Sequence, residues 1–81
     1  MTEDDLIRQS SALRGQRRFD YAINLIESNF SSLSEPIRIV ALLEVFNAAR
    51  ESGNGEKARQ AAQEIAKEDP DVPGIQPYLN K

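Results

Sequence analysis

The residues able to do chemistry in this chain are almost all carboxylates and guanidinium groups. Its 81 residues include 13 Asp and Glu, 10 Lys and Arg, and no Cys, His or Trp, with a formal net charge of −3. Without Cys or His there is no disulfide framework, no thiolate or imidazole zinc site, no cysteine nucleophile and no Ser-His-Asp triad. The carboxylates form no persuasive acid/base pair. Glu3, Asp4 and Asp5 stand where they would open a helix, and Glu64, Glu68, Asp69 and Asp71 gather near a helix end. A calcium loop needs alternating oxygen ligands around a glycine and a bidentate glutamate, which residues 69–74 do not supply. Gly53-Asn54-Gly55 is too short to cradle a phosphate, and no lysine follows at P-loop spacing. The expectation is a non-enzyme with no metal and no cofactor. Arg8, Arg14, Arg17 and Arg18 form the only basic cluster. A nucleic-acid footprint is broader and set in a basic domain, so neither nucleic acid nor an anionic membrane is expected as partner. Glu44, on an otherwise apolar stretch, either faces solvent through a narrow gap or meets an arginine of a partner.

These groups need a scaffold. With 40% hydrophobic residues, the chain is too apolar for a disordered tail, and its apolar residues are too dispersed for a membrane span. The acidic start is not followed by a long apolar stretch, so no signal or transit peptide is read and a cytoplasmic location is expected. Apolar burial and conformational entropy nearly cancel at this size, so well-packed helices or a partner are needed.

Hydrophobic spacing predicts four helices. The first, about Glu3 to Gly15, opens with Thr2 as N-cap and Asp5 three residues on, a variant of the capping box. Its apolar set of Leu6, Ile7, Ala12 and Leu13 is thin, as for a terminal helix covered on one side. The second, about Arg18 to Asn29, carries Phe19, Ala22, Ile23, Ile26 and Phe30 at spacings of three and four. Ser34 as N-cap and Pro36 in the first turn open the third, about Glu35 to Ser52. Its apolar residues go nearly all the way round, which marks a central, sandwiched helix. Gly53 stops it, Asn54 caps the fourth helix, about Gly55 to Glu68, and Asp69-Pro70 closes the unit. The apolar face of the fourth helix is nearly all alanine. Short connections make antiparallel hairpins. The division is a helical domain over residues 1–70, with units of about 3–30 and 35–69, and a Pro-rich tail over 71–81. Val72, Ile75, Tyr78 and Leu79 are many large apolar residues for a linker, which favours docking of the tail on the last hairpin over a flexible peptide.

Aligning Arg17-Arg18-Phe19-Asp20-Tyr21-Ala22 with Gly53-Asn54-Gly55-Glu56-Lys57-Ala58 superposes the two turns at a period in the mid-thirties, the spacing of helical solenoids. Here the sequence resembles the tetratricopeptide repeat family. The segment from Gly53 through Asp69-Pro70 has the turn glycine, the small residue early in the second helix and the closing proline at family spacing. Phe19 and Ala22 match in the first unit. Leu6 and Leu42 stand for the family's early aromatic, and Ser10 and Phe46 for its glycine. The resemblance implies an all-α fold of two antiparallel hairpins stacked as a short right-handed solenoid; an unrelated four-helix bundle is the competing architecture. It further implies a non-catalytic adaptor or small chaperone that holds a peptide or helix of another protein. The groove positions then fall on Ile7, Ser11 and Arg14 of the first unit and on Leu43, Asn47 and Arg50 of the second. Asn47 stands where family members hold a peptide backbone, and the two arginines suit an acidic or carboxylate-bearing ligand. The alternative is a homodimer through the same apolar surface.

Overall fold

The structure, a computed structural model, describes residues 2–79. Five helices form it: α1 (Glu3–Gly15), α2 (Phe19–Asn29), α3 (Glu35–Glu51), α4 (Gly55–Glu68) and the single turn α5 (Gln76–Leu79), with one 3-10 turn over Phe30–Ser32. No strand occurs among the described residues. α1 packs on α2, α3 on α4, and α3 also packs against both helices of the first hairpin. α3 therefore lies at the centre of the domain.

Local chemistry sets the boundaries. The Asp5 N–H donates to the Thr2 hydroxyl at 3.1 Å and the Asp5 carboxylate accepts from the Thr2 N–H, closing a capping box. Hydrogen bonding with Thr2, through its side chain first and its backbone second, holds the Asp5 carboxyl below its usual pKa. A carboxylate with a depressed folded pKa stabilises above its unfolded pKa, and that contribution disappears as the pH falls through the folded value. Asp5→Asn is therefore expected to lower the melting temperature at neutral pH and to matter less in acid, once the carboxylate has taken up its proton. Parallel melts at neutral and acid pH check this. Asn54 caps α4, its Oδ1 accepting from the Lys57 N–H at 3.1 Å.

Ser34 occupies the N-cap position of α3 but makes no side-chain cap. Its hydroxyl instead donates to Glu3 at 3.1 Å, and its N–H donates to the other oxygen of the same carboxylate. The expected local cap is thus a long-range link between the starts of α1 and α3.

The two turns are built alike at an offset of 36 residues. The N–H of Arg18 donates to the Leu13 carbonyl at 2.8 Å, and that of Asn54 to Ala49, also at 2.8 Å. Gln16 to Ala12 is matched by Ser52 to Ala48, and Arg17 to Arg14 by Gly53 to Arg50. Arg17 and Gly53 both have positive φ, 64° and 79°. This is the helix stop in which one residue turns left-handed so that the following N–H groups reach back to the last carbonyls.

One buried cluster runs through both hairpins. It joins Leu6, Ala22, Ile23, Ile26 and Leu33 to Ala41, Val45, Phe46, Ala48 and Ala49 of α3 and to Ala58, Ala61, Ala62 and Ile65 of α4. The alanines among these α3 and α4 positions let the two axes approach closely. Ser10 is buried too, and its hydroxyl donates to the Ala22 carbonyl at 3.3 Å, so it satisfies itself against α2. Ile75 is fully buried, and the Tyr78 ring meets Phe46 edge-on, centroids 5.2 Å apart. Residues 71–79 hence lie as a strap on the second hairpin, with α5 against α4.

Candidate functional site

The six candidate positions lie on two packed helices. Ile7, Ser11 and Arg14 follow one another at spacings of four and three along α1, as do Leu43, Asn47 and Arg50 along α3, so each trio shares one helical face. Ile7 and Leu43 are half-buried against the core, and Ser11 and Asn47 are half-buried. α3 is not sandwiched all round, as its sequence suggested. Its inner positions Ala41, Val45, Ala48 and Ala49 are buried, while Ile37, Ile39, Leu42 and Leu43 are only half-buried and Val40 keeps 39% of its surface exposed. The uncovered strip is the part of α3 that α1, α2 and α4 do not reach.

The two arginines have different fates. Arg14 spans the α1–α3 junction, with Nε 3.2 Å from Glu44 and Nη1 2.7 Å from Glu51. Burial alone would lower its pKa, but the hydrogen bond to Glu51 and the charge of Glu44 outweigh it and hold it above the ordinary guanidinium value. Glu44, whose side chain is 13% exposed, thus has an arginine of its own chain as partner and does not face open solvent. This pairing accounts for a carboxylate on an otherwise apolar helix.

Arg50 makes no ion pair among the described residues. Its guanidinium lies 5.5 Å from the centroid of Phe46, and its Nη2 donates to Asn47 Oδ1 at 3.1 Å. Phe46 is in turn fixed by the edge of Tyr78. Stacking and one hydrogen bond restrict this long side chain while its charge remains uncompensated, so less entropy is lost when it meets a carboxylate. Asn47 acts here as an acceptor that positions Arg50.

A groove that sequence spacing did not reveal runs between α2 and α4. It encloses about 460 Å³, and Ile26, Leu42, Val45 and Ala61 line it together with the polar Lys57 and Gln60. The Lys57–Glu27 ion pair bridges it. The alanines of α4 are the sequence signal: a face with small side chains leaves space wherever the neighbouring helix does not close in. Among the described residues no three potential ligands gather to hold a metal ion. No helix is long and apolar enough to cross a membrane.

Comparison with protein-family models, with curated proteins and with solved structures finds no match. The arrangement of residues is therefore what bears on function.

Proposed function

We propose that the chain is a tetratricopeptide-like, non-catalytic interaction module, an adaptor or small chaperone of the cytoplasm. On this reading it holds a peptide or helix of another protein on the α1–α3 face. The 36-residue correspondence of the two turns, and the packing of α3 on both α1 and α2, support the reading of two stacked units forming a short solenoid with four main helices. The observation that carries the functional reading is the uncovered α3 strip, Val40 and Leu43, about two to three turns from a restrained and unpaired Arg50. Such a surface suits a segment with an apolar side chain followed at a short distance by a carboxylate. Arg14, held by two carboxylates, contributes to the wall; Arg50 supplies the charge.

Leu43→Ala and Arg50→Ala are each expected to weaken partner binding by about tenfold or more. Because Leu43 is half-buried, its truncation should cost less stability than the about 2–5 kcal/mol of a fully buried leucine. Capture of partners on immobilised protein, with circular dichroism to verify the fold, provides the test. A protein retained by the unsubstituted chain and lost by both variants supports the proposal. Retention of none, or equal retention by all three, counts against it. The same apolar strip also suits a homodimer, and sedimentation as a monomer at micromolar concentration excludes that reading.

A further inference from the structure

The two hairpin tips have the same backbone and different chemistry. At the second tip the left-handed position is Gly53 and the N-cap is Asn54, the residue types that local conformation favours at each. At the first tip the equivalent positions are Arg17, at φ 64°, and Arg18, which provides no side-chain cap for α2. The penalty that any Cβ meets in the left-handed region is accepted at the one position and a missing cap at the other, in both cases with arginine as the residue gained. Departures from local preference concentrated at one place are the mark of residues retained for what they do rather than for folding.

Both arginines line a cleft between the tips that encloses about 530 Å³, together with Phe19, Tyr21, Ser52 and Asn54, and with Asp20 as its one carboxylate. Neither Arg17 nor Arg18 forms an ion pair among the described residues, in contrast to Arg14 one turn earlier with its two carboxylates. Tyr21 is 67% exposed, which makes it the most exposed large apolar side chain described. Guanidinium groups without partners beside an aromatic ring match carboxylates carried next to an apolar side chain. Asp20 in the cleft and the net charge of −3 oppose a long polyanion, which gathers its affinity from many phosphate contacts.

We infer that the cleft between the hairpin tips, formed by Arg17, Arg18 and Tyr21, is a second docking site, and that its occupant is a short acidic segment of a partner protein. The site lies apart from the α1–α3 face, and it stands or falls independently of the role given to Arg50.

The test restores to the first tip the residues of the second. Arg17→Gly and Arg18→Asn are measured singly and together for binding of a fluorescein-labelled peptide of alternating Glu and Leu at low salt, and for thermal stability. With both tip arginines present, the chain binds the peptide. Each single variant weakens binding by about fivefold or more, and the pair abolishes it. The same variants raise the melting temperature, by up to about 4–8 °C each. All of these chains are compared in a background carrying Arg50→Ala, which takes the α1–α3 face, itself suited to an apolar and acidic segment, out of the measurement. Unaltered peptide binding in the double variant overturns the inference. So does a lowered melting temperature, which would make the arginines part of the local scaffold, or tighter binding of an oligonucleotide of matched charge.

Discussion

Phe46→Ala is expected to destabilise the domain by about 3–5 kcal/mol, the range for removing a buried phenylalanine. A domain of this length has a total stability of about 4–12 kcal/mol, so the loss is a large part of the whole. Phe46 is 2% exposed in the middle of α3, where it belongs to the cluster shared by both hairpins. Its ring also receives the edge of Tyr78 and lies under Arg50, so truncation removes the platform of the strap and frees the Arg50 side chain together. Chemical denaturation should show a lower midpoint with an unchanged slope. Phe46→Leu keeps much of the apolar volume without the ring and should lose markedly less. A loss below about 1 kcal/mol for the alanine variant would mean that the site collapses around the gap, and that the two hairpins do not depend on this side chain.

The second large effect comes from adding volume. Ala62 is fully buried on α4, and Leu there should cost about 1–3 kcal/mol because the added atoms must push helices apart or leave their rotamers. Ala61, one residue earlier, borders the groove between α2 and α4. Ala61→Leu can extend into that space and is expected to be tolerated. Comparing the two melting temperatures measures how much of the alanine face is pressed against α3 and how much only looks onto a gap. Equal losses would mean that the groove is closed in solution.

The main helices were legible because their limits are local. A Thr2 and Asp5 box, an Asn54 cap, a Gly53 stop and a proline after Asp69 each act within a few residues, and the structure places boundaries within a residue of those expected. The correspondence of the two turns was legible for the same reason, since the tips share a hydrogen-bond scheme that depends on few side chains. What escaped depends on partners distant in sequence. Ser34 reads as a cap from its neighbours, but Glu3, thirty-one residues away, takes both its hydroxyl and its N–H. Glu44 reads as an isolated charge until α1 brings Arg14 beside it. The apolar residues of α3 go all round the helix, and no periodicity tells which of them a neighbour will fail to cover; Val40 is the one left most open. The six candidate positions could be placed on α1 and α3 in advance. The commitment of Arg14 to two carboxylates, and the restraint of Arg50 on Phe46, required the packed fold.

The two ends of the molecule are held by different forces. α1 is fastened to α3 through Glu3 and Ser34 at one end and through Arg14, Glu44 and Glu51 at the other. Among the described residues, the hydrogen bonds of the strap stay within residues 69–78, so its hold on the body rests on Ile75, Tyr78 and its other apolar contacts. Concentrated salt therefore acts first on the N-terminal seam, where screening weakens the attraction. Cooling and urea act first on the C-terminal strap, since oily contact weakens in both. Solvent conditions could thus loosen either extremity of the domain while the other stays fastened.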